Sequence, residues 1–162
     1  MLALRRAGLP LLLPRQRMAL SIQSLAFVEY RRIKTGVGEA YAGYIWDINR
    51  FPDEKAFVQA MPDAVLFIQY VNDIMSFYKE ELGGDLGTYV QDRALVTRMT
   101  SAEVLSHVVD ATIASVNSAR AVLGNGPARD AWEFFMRGYI AFHLQAPRYL
   151  LHEIMDLEYA AG

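Results

Sequence analysis

The feature that most constrains the fold is that glycine and proline divide an otherwise helix-compatible sequence from Ser21 onward. No stretch shows sustained alternation of apolar and polar residues with a period of two, which a half-buried strand requires. We therefore predict an all-α protein. Its 162 residues, with 53% hydrophobic content, are enough to bury one core, so we expect one compact unit of single-domain size.

The predicted helices are bounded by residues that disfavour helix continuation. Gly36-Val37-Gly38 breaks or kinks the first helix, and the paired glycines at 83 and 84 end the central helix. Thr100 or Ser101 can cap the next helix, with Glu103 placed for a capping box. A loop is expected over residues 85–99. Helices are expected over residues 19–34, 39–47, 63–81, 101–123, 128–144 and 147–159.

The N-terminal segment differs in composition from the rest of the chain. It contains four arginines before the first acidic residue, Glu29, around an apolar run from Leu9 to Leu13 that holds Pro10. That run is too short to span a bilayer or to form a good signal core. Residues 1–27 are therefore expected to be a leader, either a mitochondrial-type presequence or a segment outside the fold that reflects where the reading frame begins. The expected location is cytoplasmic, and residues 28–162 are expected to form the helical domain.

Charge and composition exclude several classes of function. The formal net charge is −2, and no basic tract follows residue 34, so no electrostatic footprint for nucleic acid is present. The absence of cysteine excludes a disulfide framework and thiolate metal sites. His107, His143 and His152 are scattered, and we expect His107 and His143 to be packed or exposed helix residues rather than ligands. No integral membrane segment is expected.

One stretch of the central helix has the chemistry of a metal site. Asn72, Ser76 and Glu80 are spaced i, i+4 and i+8, so on a helix they share one face. Neighbouring members lie about 6 Å apart along the axis, close enough for an amide oxygen, a hydroxyl and a carboxylate to reach one cation. All three are hard oxygen donors of the kind that Mg²⁺ prefers. With one carboxylate, such a site would bind the ion weakly until a diphosphate supplied further negative ligands.

The same spacing also arises by chance on the solvated face of an amphipathic helix. Residues 64–71, which precede the motif, are apolar on nearly every face of the helix. Asn72 and Ser76 are therefore expected to be partly buried. Buried polar groups need partners, and a hydrated cation would be one.

Three ordered segments of the chain resemble a known family. They are the Asn72-to-Glu80 stretch, which also carries Asp73 and Lys79, the segment 30–38, in which Arg32 precedes a glycine-containing break, and the pair Arg148-Tyr149. In order and rough spacing they are similar to the NSE metal motif, the pyrophosphate-sensing arginine and the C-terminal Arg-Tyr pair of the trichodiene synthase family, which are fungal class I sesquiterpene cyclases. The resemblance covers about residues 28–153.

The resemblance implies the C-terminal part of a class I terpenoid synthase helical bundle. It implies ionisation of farnesyl diphosphate by a cluster of Mg²⁺ ions, followed by cyclisation of the allylic cation in an apolar pocket. The implied metal ligands are Asn72, Ser76 and Glu80; Asp73 points about 100° around the helix and is assigned no metal. The implied catalytic residues, which stabilise charge on the departing diphosphate, are Arg32, Lys79, Arg148 and Tyr149.

Several of these residues have an alternative structural interpretation. Arg32 could complement the dipole at the end of a helix, and Arg148 with Tyr149 could be a surface pair in a first turn. Aromatic residues could line a dry cavity and stabilise carbocations by cation–π contact, or they could simply form the core. These aromatic residues are Tyr41, Tyr44, Trp46, Phe67, Tyr70, Phe135 and Phe142.

The sequence departs from the family in one respect. Family members carry an aspartate-rich D-D-x-x-D/E-like run on an earlier helix, and no run in the 162 residues matches it; the nearest acidic pair, Asp53-Glu54, lies between Arg32 and Asn72. We therefore expect the isolated chain not to turn over farnesyl diphosphate, and to expose apolar surface that favours oligomerisation or a missing N-terminal half. An incomplete cyclase, a catalytically silent helical module and a prenyl-diphosphate binder without turnover stay open as alternatives, and the prenyl chain length is undetermined.

Overall fold

A computed structural model describes residues 18–155 and shows an all-α architecture, as the sequence predicts. No strand occurs in that range, and most of the predicted leader lies outside it. Within it, short 3-10 turns follow α2 and α6, and none of the helices is both long and apolar enough to cross a membrane. The helices are α1 (Leu25–Ile33), α2 (Val37–Ile45), α3 (Met61–Gly83), α4 (Tyr89–Thr97), α5 (Ser101–Leu123) and α6 (Pro127–Gln145).

Helix α3 is the centre of the fold, because all five other helices pack against it. Pro62 lies in its first turn, where a missing N–H is tolerated, and Gly84 ends it in the left-handed conformation, with φ of 65°. One apolar core lies mainly between α3, α2 and α6 and includes Phe67 and Trp132. A second core lies between α3, α1, α4 and α5 and includes Tyr70. Packing on two sides fixes the orientation of the α3 face that carries the predicted metal motif.

The break between the first two helices lies at Gly36, within the segment that the sequence predicts. Gly36 has φ of 75°, a left-handed conformation that glycine adopts without a steric penalty. The second helix resumes at Val37 rather than Glu39, so Gly38 lies inside α2. A Cβ atom on Gly38 would lie 3.0 Å from side-chain atoms of Val65 and Gln69 on α3. The absence of a side chain at Gly38 therefore lets α2 approach α3 closely.

Three element predictions are wrong in detail. Residues 85–99 are not one loop, because Thr88 caps α4 by accepting a hydrogen bond from the Gln91 N–H, and burial of Val90 and Val96 anchors that helix. Helix α1 begins at Leu25, not near residue 19. No helix extends from Pro147 through the described part of 147–159; two 3-10 turns occur instead, interrupted at Leu150 with φ of 58°.

The start of α5 is confirmed. The Thr100 hydroxyl accepts a hydrogen bond from the Glu103 N–H at 3.2 Å, and a Glu103 carboxylate oxygen accepts one from the Thr100 N–H at 2.8 Å. This is the reciprocal capping box that the sequence predicts.

Candidate functional site

The three predicted metal ligands lie on one face of α3. Ser76 is buried with 2% of its surface exposed, whereas Asn72 and Glu80 are partly buried. Within residues 18–155 the Ser76 hydroxyl makes no hydrogen bond to another side chain or to the backbone. The hydroxyl is therefore available to a ligand or ion, but it is not one of the fully buried polar atoms without a partner, which in the described residues are Gln69 Oε1, Arg93 Nε and Trp132 Nε1.

The donor set fits Mg²⁺ only with help from a ligand. In the described range no three acidic or histidine side chains converge on one point. The α3 face offers an amide oxygen, a hydroxyl oxygen and one carboxylate, all hard donors. The Glu80 carboxylate also accepts a hydrogen bond from Lys79 Nζ at 3.3 Å. A cation held here would therefore need further oxygens, of the kind that a diphosphate carries.

The structure brings Arg32 to the same helix. Arg32 Nε donates to Asp73 Oδ2 at 2.7 Å, and Nη2 donates to the Gln69 carbonyl oxygen at 2.9 Å. A longer contact of 3.3 Å joins Nη1 to the Thr35 hydroxyl. Three of the five N–H bonds of the guanidinium are thereby used. Arg32 is thus positioned beside Asn72 on α3 and retains two N–H bonds for a ligand.

Asp73 has unusual electrostatics for a paired carboxylate. Burial raises the pKa of Asp73 to about 6, although the adjacent Arg32 guanidinium lowers it. The charge of Glu80 contributes to the increase. Burial therefore outweighs the ion pair, and negative charge accumulates on this side of α3. A cation nearby would relieve that repulsion.

Arg148 and Tyr149 lie in the 3-10 turn that follows α6, and this turn packs against α3. Tyr149 is 3% exposed and contacts the His143 ring, with centroids 4.6 Å apart. Arg148 is exposed, and its guanidinium lies 5.1 Å from the centre of the Tyr149 ring. Tyr149 is therefore fixed by packing, whereas Arg148 has an accessible charge.

A cavity of about 1260 Å³ joins several of these residues. Arg32, Asn72, Arg148 and Tyr149 all line it, whereas Ser76, Lys79 and Glu80 do not. Aromatic residues of α2 and α6 form much of the remaining wall: Tyr41, Tyr44, Phe134, Phe135, Tyr139 and Phe142. The cavity wall therefore combines cationic side chains, which are Arg32, Arg50, Arg137 and Arg148, with an aromatic surface.

The aromatic residues named from the sequence divide into two groups. Tyr41, Tyr44, Phe135 and Phe142 line the cavity. Trp46, Phe67 and Tyr70 are buried core residues. The alternative of simple core packing is thus correct for the second group.

A sequence model of the trichodiene synthase family matches residues 23–161. The chain belongs to the trichodiene synthase family. Terpene synthase 29 of Postia placenta is 48% identical over 132 residues, which is 82% of this chain and 39% of that protein. Monoterpene synthase 25 of the same fungus is 47% identical over 136 residues, covering 84% of this chain and 41% of the relative. Trichodiene synthase of Fusarium pseudograminearum is 30% identical over 136 residues, which is 80% of this chain and 36% of that protein.

The chain spans about two fifths of the length of the curated relatives that it matches. The family membership confirms the resemblance inferred from the three ordered motifs. The roles of Asn72, Ser76, Glu80, Arg32, Lys79, Arg148 and Tyr149 stay predictions.

Two contacts at the candidate site have no signal in the local sequence pattern. Asp73 pairs with Arg32 across 41 residues of sequence, and His143 contacts Asn72 across 71 residues. Burial, assisted by the charge of Arg148, lowers the pKa of His143, although its bond to the Tyr139 carbonyl raises it. Charge complementarity between Arg32 and Asp73 was a usable signal, but no spacing rule connects His143 to α3.

Proposed function

We propose that this chain provides the diphosphate-binding part of a sesquiterpene cyclase-like protein that acts on farnesyl diphosphate with Mg²⁺. The observation that carries the proposal is the shared cavity, in which Arg32, Asn72, Arg148 and Tyr149 meet an aromatic wall. Membership of a terpene synthase family supports a prenyl diphosphate as the substrate class. Lyase chemistry follows, because ionisation breaks the carbon–oxygen bond to the diphosphate.

Binding of the leaving group is assigned to the cationic side chains. The two uncommitted N–H bonds of Arg32 and the exposed guanidinium of Arg148 can each donate to diphosphate oxygens, and arginine offers a planar fork for such contacts. Lys79 is paired with Glu80 in this structure. It would become available as a point charge if the Glu80 carboxylate bound a metal cation instead. The Tyr149 hydroxyl is a further donor on a ring held by packing.

Asn72, Ser76 and Glu80 would hold Mg²⁺ through oxygen atoms. The ion, when bound, neutralises charge that develops on the diphosphate as the carbon–oxygen bond breaks. The protein residues orient the diphosphate toward the aromatic wall. That wall excludes water and offers ring faces that attract an allylic cation.

The length of the prenyl chain is a separate question. One relative is named a monoterpene synthase and another a trichodiene synthase. Geranyl diphosphate therefore stands beside farnesyl diphosphate as a candidate substrate.

We further propose that turnover requires the aspartate-rich motif that the 162 residues lack. The isolated chain would then bind Mg²⁺ and diphosphate without forming product. A silent helical module is the second candidate, and its interaction surface would include Tyr44 and Phe134, which are each 78% exposed at the cavity wall. Such surface favours association with a second chain or with the remainder of a cyclase.

The proposal is tested by incubating the purified chain with farnesyl or geranyl diphosphate and Mg²⁺, followed by gas chromatography of the extracted hydrocarbons. We expect no cyclic product from the chain alone. We expect inorganic pyrophosphate to protect residues around Asn72 and Arg32 from hydrogen exchange. This protection should require Mg²⁺. Product that disappears in Glu80→Ala would contradict the requirement for the aspartate-rich motif and establish an active cyclase. Absence of both product and protection would favour the silent module.

A further inference from the structure

His143 is a buried, polar residue at the edge of the candidate site. It lies in the last turn of α6 with 1% of its surface exposed. Tyr139 and Tyr149 enclose its ring, with centroids 4.5 and 4.6 Å away. A buried imidazole needs hydrogen-bond partners for both nitrogens, so the two contacts of His143 define its tautomer.

The first contact fixes the tautomer. His143 Nδ1 lies 2.8 Å from the Tyr139 carbonyl oxygen, which can only accept. Nδ1 therefore carries the hydrogen, and in the neutral ring Nε2 is an acceptor. A ring with this tautomer presents a lone pair to whatever faces Nε2.

The second contact is with the predicted metal ligand Asn72. Asn72 Nδ2 lies 3.4 Å from His143 Nε2, a long hydrogen bond in which the amide donates. The reversed amide would place Oδ1 against the Nε2 lone pair, so that two acceptors would face each other. With its NH₂ group toward His143, Asn72 directs Oδ1 away from α6. Oδ1 is the atom that a cation requires.

We propose that His143 is a positioning residue for Asn72: it holds the side-chain amide with Oδ1 directed toward the α3 face shared with Ser76 and Glu80. This inference rests on the proposed function. It makes α6 a supporting element of a site whose ligands all lie on α3. Partners that orient metal ligands typically change metal affinity by about 10-fold to 100-fold when removed.

Two substitutions of His143 test the roles of its two ring nitrogens separately. His143→Asn retains a donor close to the Nδ1 position but loses the acceptor that faces Asn72. His143→Gln retains an acceptor close to the Nε2 position but loses the donor to Tyr139. Isothermal titration calorimetry of inorganic pyrophosphate at a series of Mg²⁺ concentrations is the readout, with circular dichroism to establish that each variant is folded.

We expect His143→Asn to need about ten-fold more Mg²⁺ for half-maximal pyrophosphate binding, and His143→Gln to stay within about three-fold of the unmodified chain. Binding of pyrophosphate in the absence of Mg²⁺ should be the same in all three proteins, which a general structural defect would not allow. Nitrogen-15 chemical shifts of His143 in the unmodified chain should show the Nδ1–H tautomer, a measurement that needs no variant to fold.

The outcomes distinguish this inference from the function on which it rests. Equal Mg²⁺ dependence in the unmodified chain and His143→Asn, or an Nε2–H tautomer, overturns the role of His143 alone. No Mg²⁺-dependent binding by the unmodified chain overturns the proposed function, and the inference with it. A selective defect of His143→Asn supports both.

Discussion

At the scale of single residues, Arg32 and Asp73 are both largely removed from water, and their ion pair offsets the free energy of that desolvation only partly. Their side chains are 13% and 12% exposed, and burial raises the pKa of Asp73 to about 6 despite the guanidinium 2.7 Å away. Removing one charge from a buried pair leaves the other uncompensated, whereas neutralising the more strongly desolvated partner removes part of the cost.

We expect Arg32→Met to lower the free energy of unfolding by about 3 kcal/mol, because it leaves the Asp73 carboxylate without its partner. Asp73→Asn should lower it by less than about 1 kcal/mol, since the amide can still accept from Arg32. The double variant should recover most of the loss. Urea unfolding of the four proteins at neutral pH measures this cycle, and an Asp73→Asn loss as large as that of Arg32→Met would show that the ion pair outweighs desolvation.

The helical placement of the three candidate metal ligands was predictable from the sequence, whereas their role as ligands stays a prediction. Asn72, Ser76 and Glu80 follow helical spacing, and their shared face is confirmed. His143 and Asp73 acquire their contacts from partners 71 and 41 residues away. Tertiary packing creates those contacts, and helical spacing carries no information about them.

At the scale of elements, two glycines of α2 have opposite surroundings. A Cβ at Gly38 would meet Val65 and Gln69 at 3.0 Å, and both of these residues are buried and unable to move aside easily. A Cβ at Gly43 would have no atom within 4 Å. Alanine substitutions at Gly38 and Gly43 therefore distinguish the effect of helix propensity on stability from the effect of helix packing.

We expect Gly38→Ala to lower the free energy of unfolding by about 1–2 kcal/mol, because α2 must move away from α3. Gly43→Ala should raise it by about 0.5–1 kcal/mol, since alanine favours helix. Thermal unfolding followed by circular dichroism measures both. A stabilising Gly38→Ala would contradict the close approach of the two helices.

Glu133 joins α6 to α5 through Arg120 and also pairs with Arg129 of its own helix. Its carboxylate accepts hydrogen bonds from Arg120 at 2.8 and 2.9 Å and from Arg129 at 2.8 Å. The hydrogen bonds from Arg120, and then those from Arg129, lower the pKa of Glu133 to about 2. A carboxyl group with a lowered pKa in the folded state stabilises the fold above its unfolded pKa and loses that contribution as pH falls.

We expect Glu133→Gln to cost about 1 kcal/mol at pH 7, a modest value because Arg120 is 37% exposed. The difference from the unmodified chain should shrink as pH falls from about 4.5 toward 2. Urea titrations across this range measure it. A difference that stays constant with pH would mean that the arginines do not stabilise the ionised carboxylate.

The helices were predictable where strong capping signals bound long periodic segments, as in α3 and α5. Helix α4 was missed because its nine residues follow Gly83, Gly84 and Gly87 and depend on burial of Val90 and Val96. The segment after Pro147 was predicted as a helix because proline is favoured at the first helical position. The left-handed Leu150 instead divides it into two short turns.

At the scale of the whole molecule, the aromatic wall of the cavity is accessible to solvent. Tyr44 and Phe134 are each 78% exposed, and Phe142 is 55% exposed. Contiguous exposed apolar surface of this kind promotes association. We expect the purified chain to associate in a concentration-dependent manner by sedimentation velocity.

The double variant Tyr44→Ser, Phe134→Ser should weaken that association, whereas Leu86→Ser, at a residue 67% exposed and outside the cavity wall, should not. A monomer at all concentrations, or equal effects of the two substitutions, would show that the cavity wall does not drive association.

We propose that α3 presents a Mg²⁺-dependent diphosphate site. Calorimetric titration of the chain with inorganic pyrophosphate, with and without Mg²⁺, tests it most directly when Glu80→Gln is compared with Glu81→Gln, the neighbouring exposed carboxylate. We predict Mg²⁺-dependent binding that Glu80→Gln weakens at least about ten-fold and Glu81→Gln leaves unchanged. Binding that is absent, independent of Mg²⁺, or equally affected by the two substitutions would rule out a Mg²⁺-dependent diphosphate site on this face of α3.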